Sequence, residues 1–85
     1  MKYDVIMPQL TETMEYAMIL SWNRNVGDYV AKGDVLYEVE TDKTTMEIES
    51  IDQGYLCKTL VELEEEVAPG TVIAVLADSA DECGS

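Results

Sequence analysis

Lys43 is the side chain of this chain best placed for chemistry. It is one of only five basic residues against 18 acidic ones. It stands in Glu40-Thr41-Asp42-Lys43-Thr44, between two runs that read as strands. Val35-Leu36-Tyr37-Glu38-Val39-Glu40 is rich in β-branched and aromatic residues, and Thr45-Met46-Glu47-Ile48-Glu49 alternates polar and apolar side chains. Thr-Asp between such runs is turn chemistry, because Asp can hydrogen-bond the backbone ahead of it and tolerates unusual φ. The spacing therefore predicts a hairpin with a primary amine at its tip, where an enzyme could reach it. An exposed hairpin lysine also has a plainer use in blunting a strand edge, and composition by itself favours that use.

The remaining composition argues against chemistry performed by the chain alone. There is no histidine, which removes the commonest general base and the commonest metal ligand together. The five methionines read as gap-fillers, with no metal site among them. A formal charge of −13 argues against nucleic acid and anionic membrane surfaces as partners. No run approaches the roughly 20 apolar residues of a membrane span. Cys57 lies in a strand-like run and Cys83 in a polar tail, so both are expected to be free thiols in a reducing compartment. The first residues have neither a signal-peptide nor a transit-peptide pattern. The expectation is a domain that starts its chain and is cytoplasmic, or resides in the mitochondrial matrix if a transit peptide has been removed.

The elements that must position Lys43 come from an internal repeat. Val30-Ala31-Lys32-Gly33-Asp34-Val35-Leu36 recurs 37 residues later as Val67-Ala68-Pro69-Gly70-Thr71-Val72-Ile73. Met14 to Ile19 likewise matches Ile51 to Leu56 in character. Two copies of one strand-rich unit predict a quasi-two-fold arrangement in which neither half buries its apolar face alone. The pairs Ile19/Leu56, Val30/Val67, Val35/Val72, Leu36/Ile73 and Val39/Leu76 are the core candidates. Adjacent apolar residues at Val35-Leu36 predict a bulge, and Gly33 and Gly70 predict turns with positive φ. No segment has sustained helical periodicity; only Glu62 to Glu66 is good helix composition, and it is short and self-repelling. The fold class is all-β, one domain over residues 1–77, with residues 78–85 a flexible tail or the start of a linker. The offset carries Asp42 and Lys43 onto Ser79 and Ala80, so the lysine hairpin and the chain termini should occupy opposite ends.

Met7-Pro8-Gln9-Leu10, Thr13-Met14-Glu15, Trp22, Val26-Gly27-Asp28-Tyr29-Val30 and the long run Gly33 to Ser50 together resemble the lipoyl domains of 2-oxo acid dehydrogenase complexes, over roughly Tyr3 to Leu76. The resemblance implies a flattened β-barrel or sandwich of two antiparallel sheets. It also implies lipoic acid in amide linkage to Lys43, flanked by Glu40, Thr41, Asp42 and Thr44. Such a domain is a swinging-arm carrier and not a catalyst, belonging to a dihydrolipoamide acyltransferase chain. The partners implied are a lipoate ligase or lipoyl/octanoyl transferase, a thiamin-diphosphate-dependent 2-oxo acid decarboxylase that supplies the acyl group, the acyltransferase core that receives it, and a dihydrolipoyl dehydrogenase. The isolated domain is expected to be a monomer. A biotinyl carrier of a carboxylase shares the architecture but sets its lysine between methionines, whereas Asp42 and Thr44 flank Lys43. An unmodified interaction module is the third reading. Trp22 is expected simply to pack against the sheet, and the Glu62 to Glu66 acids to form a solvated face or steer basic partners. Two departures stand out: Ala17 and Glu64 occupy positions where such domains usually carry glycine, which puts local loop geometry in question.

Overall fold

The computed structural model describes residues 1–83. Eight strands follow in order: β1 (Lys2–Ile6), β2 (Ala17–Trp22), β3 (Tyr29–Val30), β4 (Val35–Glu40), β5 (Thr45–Glu49), β6 (Gly54–Thr59), β7 (Glu66–Val67) and β8 (Val72–Ala77), then a one-turn helix α1 (Ala80–Cys83). They form two antiparallel four-stranded sheets, in the orders β5-β4-β2-β7 and β1-β8-β6-β3. The all-β, two-sheet fold read from the sequence is the fold observed.

The 37-residue offset is the symmetry of the molecule. It carries β2, β3 and β4 onto β6, β7 and β8, residue for residue. The bulges repeat too. Register shifts beside Leu36 on β4 and Ile73 on β8, and again beside Leu20 on β2 and Cys57 on β6. Backbone bonds repeat in the same way: Gly33 N to Ser50 O matches Gly70 N to Met7 O, and Asn23 N to Leu36 O matches Leu60 N to Ile73 O. The place of β5 beside β4 is taken in the other sheet by β1, from the opposite end of the chain. Non-local pairing of this kind has no signature in a repeat scan.

The repeated positions also build the core between the sheets. Ile19, Leu56, Val30, Val67, Leu36, Ile73, Val39 and Leu76 are all buried, each large side chain contributing roughly 1.5–3 kcal/mol when removed from water. Val35 and Val72 are only partly buried. The bulge after Val35 turns the consecutive Leu36 and Tyr37 inward instead, and confinement of the Tyr37 ring pushes its phenol up to about 12. Trp22 packs against that ring with centroids 5.3 Å apart, the packing against the sheet expected of it.

Glycine turns close the repeats. Gly33 and Gly70 share φ of 92°, each the third residue of a four-residue turn closed by Asp34 N to Ala31 O or Thr71 N to Ala68 O. Gly27, at φ 99°, donates its N–H to Leu56 O; its counterpart Glu64, at φ 63°, donates to Ile19 O. Glu64 thus follows the same path as the glycine it replaces, in a region that disfavours a Cβ. Glu62 to Glu66 forms this loop and the start of β7, not a helix. Glu64→Gly is expected to stabilise the domain by roughly 0.5–1 kcal/mol, relief of strain outweighing the entropy glycine adds to the unfolded chain, for a Tm rise on the order of 5 °C. Thermal unfolding followed by circular dichroism measures it; an unchanged or lower Tm would show that the glutamate side chain offsets its own strain. The other departure, Ala17, is accommodated inside the core at the start of β2, where its backbone stays at negative φ.

One expectation is corrected. Cys57 and Cys83 are not free thiols but form a disulfide. After β8 the chain doubles back, and α1 packs on β6 and β8. This brings the two Cα atoms to 4.8 Å, inside the range a bridge spans. Of the stretch expected to be a tail, residues 84–85 lie outside the described residues. Asp78 within it bonds back to the start of the chain, its N–H to Met1 O at 3.1 Å and its carboxylate accepting from the Tyr3 hydroxyl at 2.8 Å. That hydrogen bond holds the Asp78 carboxyl below its ordinary range and the Tyr3 phenol above its own. The Met1 ammonium lies 3.3 Å from Asp78 and also contacts Glu82.

Candidate functional site

β4 and β5 meet in the tightest hairpin of the domain, and Lys43 is at its tip. The closing pair is Thr41 and Thr44, joined by Thr41 N to Thr44 O at 2.8 Å, which leaves Asp42 and Lys43 as a two-residue loop. Two-residue hairpins favour turns with positive φ, yet neither Asp42 nor Lys43 has it. A buried hydroxyl compensates. Thr41 Oγ1 accepts the N–H of Lys43 at 3.2 Å and of Thr44 at 3.1 Å, and donates to Thr44 O at 2.9 Å. With one donor and two lone pairs used, that oxygen is saturated, and Thr41 is 7 % exposed.

The turn is tied to the core immediately behind it. Val39, fully buried, pairs with Met46, and Glu40 pairs with Thr45. Asp42, Lys43, Thr44 and Glu40 all face solvent. The five residues singled out from the sequence are therefore brought together, four on the surface and Thr41 beneath them. The sequence reading credited Asp42 with organising the turn, but the organiser is Thr41, one residue earlier. A threonine at the first position of a four-residue turn is the signal that would have found it.

The electrostatics of the hairpin are one-sided. On its outer face Glu38 sits directly opposite Glu47, with Glu40 and Glu49 on the same face. Like charges opposed across a pair of strands are destabilising, so this face carries an acidity that packing does not require. Among the described residues, no carboxylate lies within ion-pair distance of the Lys43 amine. Nothing has to be displaced for that nitrogen to be acylated. The turn also has a counterpart in the other half of the repeat. Under the 37-residue symmetry the closing bond Thr41 N to Thr44 O maps onto Asp78 N to Met1 O. The turn thus occupies in one half of the repeat the place that the strand-end closure occupies in the other.

Comparisons with known proteins bear on the family and the fold. A segment of the pyruvate dehydrogenase E1 component subunit beta of Rhizobium meliloti is 46% identical over 89% of this chain. The dihydrolipoyllysine-residue acetyltransferase component of the pyruvate dehydrogenase complex of Zymomonas mobilis is 43% identical over 96% of it. The chain spans only 17% and 19% of those two proteins. Among solved structures, the lipoyl domain of the 2-oxoglutarate dehydrogenase complex of Azotobacter vinelandii superposes with a TM-score of 0.73 at 21% identity, over 89% of this chain and 96% of that one. The fold is thus that of a lipoyl domain. The sequence model of the Biotin_lipoyl family, described as biotin-requiring enzyme, matches residues 3–76, and the chain belongs to that family.

Proposed function

We propose that the domain is a lipoyl carrier, modified at Lys43 and working within a 2-oxo acid dehydrogenase complex. The observation that carries this is the turn itself: a primary amine without an ion-pair partner among the described residues, at the tip of a two-residue loop that a buried Thr41 hydroxyl holds in place. The neighbours Asp42 and Thr44, in place of methionines, favour lipoate over biotin. So do the relatives named for a dihydrolipoyllysine residue. Lipoic acid, bound as an amide through Lys43 Nζ, supplies an acyl-carrying dithiol. The chain's own residues do the rest: Thr41 aims the lysine, and the sheet behind it keeps the attachment point away from the core.

On this reading the domain is non-catalytic, and the chemistry belongs to a thiamin-dependent decarboxylase, an acyltransferase core and a dihydrolipoyl dehydrogenase. A ligase or lipoyl/octanoyl transferase installs the group. The parent chain is read as an acyltransferase component, although a similar segment is also found in a protein named as an E1 subunit. The acidic face of the hairpin meets a basic channel mouth on the decarboxylase, and the net charge of −13 keeps copies of the domain apart as monomers.

Reductive acylation of the lipoylated domain, compared with free lipoamide, tests the carrier role. The domain is expected to react at least tenfold faster. Glu40→Arg with Glu47→Arg should slow it several-fold at low salt and little at high salt, since rim charges act on association rate and are screened beyond roughly 8–10 Å at physiological ionic strength. Free lipoamide reacting as fast as the domain would overturn the carrier reading. Equal rates and salt slopes for the double variant would remove steering from it.

A further inference from the structure

We propose that the Cys57–Cys83 disulfide is a redox site, opened by dithiols from solution, whose opening releases the segment from Asp78 to Cys83. Cys57 is the bulged residue of β6, where register shifts between Leu56 and Lys58. Leu56 points into the core and is fully buried, while the bulge re-aims Cys57 to the outer face, where it is partly exposed. Cys83, at the end of α1, is partly exposed as well. Both cysteines border a surface hollow of about 260 Å³, shared with Lys2, Lys58, Asp4 and Val75. Disulfides that serve only to hold a fold are usually shielded from attack. This one is partly exposed and borders a hollow that a small dithiol can enter.

The bridge is also the strongest tie on the segment it holds. A one-turn helix is far below the length that is stable unaided. The links from Tyr3 to Asp78 and from the Met1 ammonium to Asp78 and Glu82 are at the surface, where such contacts are weak. The reaction is ordinary exchange. One thiolate of the dithiol attacks a cysteine sulfur, the S–S bond breaks, and the other cysteine leaves as a thiolate that takes up a proton. The second thiol of the reagent then closes on the mixed disulfide and expels the remaining cysteine. Two electrons and two protons pass to Cys57 and Cys83, and the reagent becomes a cyclic disulfide. None of this rests on modification of Lys43.

The test uses the unmodified domain equilibrated without oxygen in mixtures of dihydrolipoamide and lipoamide, then trapped with iodoacetamide and weighed intact. Half of the protein is expected to carry two alkyl groups at a reagent ratio within about a hundredfold of unity. A bridge that stays closed in a larger excess of dihydrolipoamide, and opens only in denaturant, would overturn accessibility. Amide exchange supplies the second readout. After reduction the Asp78 and Glu82 amides should exchange at least tenfold faster, with those of β4 and β8 unchanged, and Cys83→Ser should show the same without reductant. Unchanged exchange at Asp78 and Glu82 after reduction, or loss of protection throughout β8, would overturn a release confined to this segment.

Discussion

Insertion of one glycine between Asp42 and Lys43 is expected to abolish enzymatic modification of Lys43 while leaving the domain folded. The loop has two residues, and a single buried oxygen, Thr41 Oγ1, holds the amides of Lys43 and Thr44 at 3.2 and 3.1 Å. An extra residue moves the lysine by up to about 3.8 Å and pulls at least one of those amides away. Misplacement of a reacting group by about 1 Å can cost a hundredfold in rate, so a loss of at least that size is expected when lipoate ligase, ATP and lipoate are added and the product is weighed over time. The fold should survive, because lengthening a hairpin loop by one residue costs well under about 1 kcal/mol in closure entropy. Undiminished modification of the insertion variant would mean that the ligase reads a linear peptide, and that the rigidity of the turn has no part in recognition.

Gly54→Ala should be the most damaging small substitution in the domain. Gly54 opens β6, buried, at φ 154°, and a Cβ built there would lie 2.5 Å from the carbonyl oxygen of Ala77 and 3.1 Å from its carbon. Those are backbone atoms of β8 in the middle of a sheet, so no flexible side chain can yield. A cost of about 2–3 kcal/mol is expected, equivalent to a Tm fall on the order of 10–20 °C for a domain of this size. The symmetry supplies the control. Ala17 is the counterpart of Gly54 and already carries its methyl in the core, so Ala17→Gly should cost only about 1 kcal/mol. Thermal unfolding of both variants measures the asymmetry, and a Gly54→Ala domain as stable as the parent would contradict the close approach of β6 to the end of β8.

These two sites also mark what can be read without a structure. The repeat of Val30 to Leu36 at Val67 to Ile73 was enough to expect a quasi-two-fold arrangement and paired core positions, because a period in the sequence becomes a symmetry in space. The bulge at Leu36 was legible in two adjacent apolar residues, and the anomaly at Glu64 in its offset from Gly27. Three things were not. The position of β1 beside β8 depends on pairing across almost the whole chain. The Thr41 hydroxyl was overshadowed by Asp42, the more usual turn-former, since burial decides which of two adjacent polar side chains faces the backbone amides. The Cys57–Cys83 bridge depends on a four-residue helix folding back onto β6, which nothing in the local composition of the acidic Ala80 to Cys83 stretch announces.

The most direct test of Lys43 as the attachment point is the site-mapped mass of the domain after treatment with lipoate ligase, ATP and lipoate, beside Lys43→Arg treated alike. One lipoyl group is expected, on Lys43 alone, making the formal charge of −13 one unit more negative. None is expected on the variant. A lipoyl group on Lys2, Lys32 or Lys58, or label persisting in Lys43→Arg, would contradict it.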